Sequence, residues 1–144
     1  MLYCTCGDGW REQGHLFLRV VTGLAFFYHG YQKVFVMGHD GVTSFFTQVG
    51  IPFPDIAAFL VAYGELLGGI ALILGLFTHW VAKIDILITL GAIGFVHWAK
   101  GYDASAGGYE YVLLLLAASV FFLVSGAGRY SLDAKRAAKN SGGA

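Results

Sequence analysis

Charge is scarce in this chain of 144 residues: Asp, Glu, Lys and Arg together make up 12% of it, against about a quarter in an ordinary soluble domain. Nine acidic residues balance nine basic ones, so the formal net charge is zero. That balance gives no basic field for a nucleic acid and no acidic field for a cationic partner. Proline is nearly missing as well. Pro52 and Pro54 are the two, and both stand in one Gly-rich segment. Cysteine is limited to Cys4 and Cys6, which cannot by themselves complete a structural zinc site. No metal site is expected.

What the chain has in place of charge is apolar length. It is 57% hydrophobic, with a mean hydropathy of +0.66, and it reads as an integral membrane protein surrounded by lipid. A spanning helix needs roughly 20 mostly apolar residues to cross a hydrocarbon core of about 30 Å. Residues 16–37, 55–76, 80–98 and 109–125 meet that need. The expected fold is therefore all-α, a polytopic antiparallel bundle of four transmembrane helices over 16–128, with an N-terminal tail (1–15) and a C-terminal tail (129–144). Residues 38–54 and 100–108 hold Gly and Pro breakers and read as loops. The very short link near Thr78 makes the second and third helices a hairpin. The first span follows a polar segment with Asp8, Arg11 and Glu12, is longer than a signal-peptide core, and lacks a small-residue cleavage pattern, so it reads as retained.

Orientation follows from the basic residues. Arg11, Arg19, Lys83, Arg129, Lys135, Arg136 and Lys139 share the side of both termini, against Lys33 and Lys100 opposite. The positive-inside rule puts the termini in the cytoplasm. A stable disulfide between Cys4 and Cys6 is disfavoured there. A redox pair or shared metal is the sharper reading of the CxC, and an ordinary reduced tail the plainer one.

Threading the spans at about 1.5 Å per residue brings most of the ionisable groups to the outer half of the bilayer. His29 lies roughly 20 Å and Lys33 roughly 25 Å along the first helix, and Glu65 roughly 15 Å into the second, near the midplane. His97 ends the third helix and Glu110 opens the fourth. His29 and Lys33 are four apart and share a face, with Tyr28 and Gln32 beside them. A carboxylate, Glu65 or Glu110, would compensate Lys33, and one paired with His29 would fix its tautomer. Titratable groups inside a span are functional-site candidates by default. His29, Lys33, Glu65 and Glu110 are the candidate catalytic set; His29, Lys33, His97, Tyr28 and Gln32 are the candidate cofactor-binding set. The plainer alternative is that Lys33 snorkels and that His97 and Glu110 sit among headgroups, where polarity is cheap. Glu65, too deep to snorkel, must be protonated, paired or wet. On the inner side, Arg19 and Asp85 read as a structural clamp.

Gly64 and Gly68 form a GxxxG step. It suits packing within the bundle and also allows a homodimer through that face.

The strings FFYHGYQKVF (26–35), GIPFP (50–54), ELLGGIALILGLFT (65–78), GAIGFVHW (91–98), GYEYVLLLLAA (108–118) and GAGRYSLDA (126–134), with Arg19 upstream, resemble the DoxX family of small bacterial membrane proteins. The resemblance runs over residues 19–134 and leaves the CxC outside it. It implies a multi-pass protein of the bacterial inner membrane linked to redox biology, since the family is named after a subunit of an archaeal thiosulfate:quinone oxidoreductase. Two functional readings stand side by side. In one, the outer cluster is a quinone or small-anion site in a respiratory or sulfur-redox complex, with Lys33 and His29 bonding an oxygen and Glu65 and Glu110 relaying protons. In the other, the chain is a non-catalytic accessory subunit packed against other subunits of a membrane complex. Haem or chlorophyll ligation by His29 or His97 is a third and less favoured idea.

Overall fold

A computed structural model describes residues 7–141. Cys4 and Cys6 lie outside the described residues. Every regular element among the described residues is helical: α1 (Asp8–Tyr31) continues through a π-helical stretch (Gln32–Met37) into α2 (Gly38–Gln48), followed by α3 (Pro54–Leu74), α4 (Thr78–Ala92), a second π-helical stretch (Ile93–His97), α5 (Glu110–Ser125) and α6 (Leu132–Ser141).

Two helices are long and apolar enough to cross a membrane, Pro54–Leu74 and Thr78–Lys100. The sequence suggests four. The helix α5 is as apolar but has 16 residues, about 24 Å at the usual rise, short of a full hydrocarbon core. The first helix has the length, but Arg19, His29 and Lys33 interrupt its apolar surface. The interior mixes apolar with polar and charged side chains. Arg19, Thr22, Glu65, Asp85, Thr89 and Ser119 are buried, while Phe35, Val36, Leu87, Leu114 and Val124 are exposed. Water would expel such a surface; hydrocarbon accepts it.

The dominant packing is α1 against α3, with α4 against α5 and α3 against α4. At the α1–α3 crossing the backbones touch. A Cβ on Gly30 would collide with the backbone of Leu66, and one on Gly69 with the backbone of Phe27. A Cβ on Gly23 would lie 2.9 Å from the Gly69 carbonyl. Small residues at a crossing let helices come close enough for dispersion contacts along both backbones, which is how helices associate in lipid. Gly64 and Gly68 instead look toward α4, where added Cβ atoms would stand 3.2 Å from Ile88 and 3.4 Å from the Asp85 carboxyl.

At the end that holds both termini, the chain after α5 folds under α1. Arg19, 1% exposed, donates from Nη1 to the Ala127 carbonyl and from Nη2 to the Tyr130 carbonyl, 2.5 Å away. The expected Arg19–Asp85 clamp is therefore not formed. Side chains of a helix lean toward its N-terminus, and two carbonyls wait for Arg19 in that direction. The end of α3 makes room for the guanidinium with Gly75, whose φ of 65° suits glycine and whose added Cβ would lie 2.9 Å from Arg19. The N-terminus of α4 is held from the same segment: Asp133 accepts from the N–H groups of Phe77 and Thr78, both at 2.9 Å. Phe77 is held in a left-handed conformation, φ 51°, with the Arg136 guanidinium 5.1 Å over its ring.

Replacing Gly30 or Gly69 by Ala is expected to destabilise the protein by about 1–3 kcal/mol through overpacking. Gly91→Ala, whose Cβ meets nothing within 4 Å, should be neutral or stabilising. Thermal unfolding in one detergent ranks the three, and equal behaviour would contradict the tight crossing.

Candidate functional site

Gly30 places the next turn of the first helix beside Glu65. Lys33, in the π-helical stretch, donates from Nζ to Glu65 Oε2 at 2.5 Å, with side chains 19% and 9% exposed. Lys33 therefore has a carboxylate partner and does not simply snorkel. Glu110 is not that partner. Its Oε2 accepts from the Ala104 N–H, 3.2 Å away, so it knits the 101–109 turn. The same turn is braced by Asp103, whose carboxyl the Ser105 side chain and N–H hold below the usual carboxylate range.

The ion pair stands on the wall between two cavities. One, about 220 Å³, is apolar apart from Lys33, Glu65 and His97, and is walled by Phe45, Phe46 and Phe95 among others. The second, about 150 Å³, adds His29, Thr89 and Tyr111 to the same three polar residues. Here His29 comes within electrostatic reach of Lys33 and His97, and its ring centroid lies 6.0 Å from that of Tyr111. Gln32 lines a further, more open recess of about 310 Å³ with His29 and Lys33. Tyr28 is 58% exposed, outside these cavities, and accepts a hydrogen bond from Gln32 Nε2 at 3.2 Å.

His97 has a defined tautomer. Its Nδ1 lies 2.7 Å from the Gly107 carbonyl, and a carbonyl can only accept, so Nδ1 carries the hydrogen. Its other nitrogen, Nε2, is left free to accept a hydrogen bond or a proton. Both Lys33 and His97 lie in π-helical stretches, a helical variant that recurs at functional sites.

Two contributors escape the sequence reading. Tyr111 is one. The other is the whole of α2, which occupies the segment read as a loop and roofs the larger cavity: Val42 and Phe46 are buried against Ala58 of α3, and His39 Nε2 donates to Asp55 at 2.8 Å. The signal was present in Val42, Phe45, Phe46 and Val49, spaced i, i+3, i+4, i+7 on one helix face. Among the described residues no three His, Cys, Asp or Glu side chains converge to hold a metal ion. The arrangement suits a different chemistry. An ammonium and two imidazoles can hydrogen-bond an oxygen, and the carboxylate can exchange a proton with it, inside an apolar chamber.

The DoxX family model matches residues 14–98, which include His29, Lys33, Glu65 and His97. The chain belongs to the DoxX family. Among its DoxX-type relatives is a Bacillus subtilis protein named "Putative oxidoreductase CatD", 35% identical over 122 residues, covering 85% of this chain and 86% of that protein. The Escherichia coli inner membrane protein YphA is 30% identical over 123 residues, 82% of this chain and 86% of its own. The Mycobacterium tuberculosis membrane protein Rv3486 is 33% identical over 128 residues, 81% and 77% of the two chains. No solved structure matches the chain. This DoxX protein is thus a membrane protein.

Taking Lys33 or Glu65 away singly leaves the other charge buried without its partner, which costs about 3–5 kcal/mol. The expected order in thermal unfolding is wild type above Lys33→Met and above Glu65→Leu, with the Lys33→Met/Glu65→Leu double variant recovering most of the loss. A double variant as weak as the worse single one would show that the two charges do not act as a pair.

Proposed function

We propose that this DoxX protein crosses the bacterial inner membrane four times, with both termini in the cytoplasm, and binds the oxygen-bearing head of a quinone at the Lys33–Glu65 site in the outer half of the bilayer. The first helix with its π-helical extension, α3, α4 and α5 are the spans. Basic residues support the orientation: Arg11, Lys83, Arg129, Lys135, Arg136 and Lys139 belong to the inner end, against Lys100 at the outer loop.

One observation carries the ligand reading. An ion pair and two histidines share apolar-walled cavities with room for a single-ring head group, the usual make-up of a small-molecule site, in which a few polar groups orient a largely apolar ligand. Lys33 and His97 would hold the oxygens, His29 and Tyr111 would flank the ring, and Glu65 would give or take the proton that accompanies a change in the ligand's charge. A quinone supplies reversible two-electron, two-proton chemistry when bound; the protein supplies position and protons. A small oxyanion would use the same Lys33. The name of CatD favours oxidoreduction, and we place the chain as a subunit of a respiratory or sulfur-redox complex.

A second reading, an accessory subunit, is favoured by the open apolar groove of about 620 Å³ between α3 and α4, floored by Gly64 and Gly68. A lipid chain, another subunit or a second copy would pack there.

A short-chain quinone titrated against the purified protein in lipid nanodiscs tests the first reading. Lys33→Met and His97→Phe are each expected to weaken binding at least tenfold, about 1.4 kcal/mol, while Tyr28→Phe, outside the cavity, leaves it unchanged. If the quinone does not bind, and His29→Ala releases co-purifying subunits without changing their quinone reduction, the accessory reading stands instead.

A further inference from the structure

The Lys33–Glu65 pair does not use every carboxyl in the interior. Asp85 of α4 is fully buried, at 0% exposure, and neither of its carboxyl oxygens has a hydrogen-bond partner. A buried carboxyl without donors is costly and needs an explanation. Arg19, the cation that could have met it, is turned to the Ala127 and Tyr130 carbonyls.

The surroundings of Asp85 are specific. From α3, Gly68 opens the space that the carboxyl fills, and a Cβ added there would lie 3.4 Å from Oδ1. Glu65, one turn earlier on the same helix, is the ionisable group whose charge reaches Asp85. From its own helix come Thr78, seven residues before, and Thr89, four after, on the same face; both are buried. The Thr89 hydroxyl is spent on the carbonyls of Asp85 and Ile86, whereas the Thr78 hydroxyl, at the inner end of α4, is buried without a partner. The elements α1 and α5 add buried Thr22 and Ser119 to the interior, and neither titrates. Between Thr78 and Asp85 lie the buried, apolar Val81 and Ala82, packed with Leu72 and Phe122, so Asp85 is walled off on that side, and Glu65 with its cavities lies on the other.

We infer that Asp85 is an internal proton-binding site that exchanges a proton with Glu65. The inference rests on the Lys33–Glu65 site proposed above but not on the ligand being a quinone. When a ligand oxygen takes Lys33, Glu65 loses its counter-cation and needs a proton. The Asp85 O–H bond breaks, the proton forms a new O–H bond on Glu65, and the reverse transfer restores both carboxyls when the ligand leaves and Lys33 returns to Glu65. One proton moves at each step, and no electrons are required.

Infrared spectroscopy of the full chain in lipid nanodiscs, without ligand, tests this. A carboxylic-acid C=O band is expected in the wild type at neutral pH, moved by isotope labelling of aspartate carboxyl carbons, lost in Asp85→Asn and displaced in Glu65→Gln. Gly68→Ser, which sets a hydroxyl beside Oδ1, should lower its frequency. A wild-type spectrum with no label-sensitive band overturns the proposal even if Asp85→Asn does not fold. A band indifferent to Glu65→Gln overturns the link between the two carboxyls. Because no quinone is present, failure of the ligand reading leaves this result intact, and the reverse also holds.

Discussion

Where the first helix crosses α3, two glycines remove the side chains that would otherwise hold the backbones apart. Gly30 rests on Leu66 and Gly69 on Phe27. Packed helices usually lie about 8–10 Å apart, depending on the side chains at the contact, and these positions have none. Lys33 stands three residues beyond Gly30 and Glu65 one residue before Leu66, so the short crossing sets the distance of the ion pair. It also sets the walls of both cavities, since each is lined by residues from both sides of that seam. In lipid this contact cannot lean on hydrophobic exclusion and must hold through close packing and interhelical polar bonds.

The two ends of the molecule spend their polar groups differently. At the end that holds both termini, several polar groups close on one another within the chain: Arg19 with Ala127 and Tyr130, Asp133 with Phe77 and Thr78, Ser131 with Gly128. That is a structural fastening, and it explains why GAGRYSLDA and GLFT sit far apart in sequence yet serve one junction. Toward the opposite end, Lys33, Glu65, His29 and His97 keep hydrogen-bonding capacity in hand. The helices that carry Lys33 and His97 change there to π-helical turns, and α2 forms a roof. Fastening at one end leaves the other free to carry the polar groups on which the proposed ligand site rests.

Much of this was legible in the sequence, for reasons that can be named. A lysine four residues after a histidine and a glutamate too deep to snorkel had to find compensation in lipid, so Lys33 and Glu65 could be read as one cluster. Glu110 could not be assigned because its role depends on how the 101–109 turn closes, and no helical period describes a turn. The α2 helix was hidden by Gly38, Gly41, Pro52 and Pro54, which punctuate its surroundings although its apolar face is intact. Arg19 was misplaced because depth along a helix says nothing of which way a long side chain leans. The glycine crossing was sought in GxxxG, a pattern within one helix. The decisive partners, Gly23 and Gly30 on one face seven apart and Gly69 opposite, become a pattern only when two helices are laid together.

The ion pair itself gives an argument about purpose. Replacing a buried charge pair with well-packed apolar residues is often neutral or stabilising, because two desolvated charges regain little beyond what they lose. A bundle that needed only stability would be served as well by Leu at both positions. What Lys33 and Glu65 provide that Leu cannot is an exchangeable partner: in the proposed site the ammonium can pass from the carboxylate to an anionic ligand oxygen with no net charge added to the interior, provided a proton arrives at Glu65 as the anion arrives at Lys33. Electrical neutrality in a low-dielectric chamber therefore ties ligand binding to proton supply. That tie gives chemical meaning to the placement of a second carboxyl, Asp85, within reach of the first.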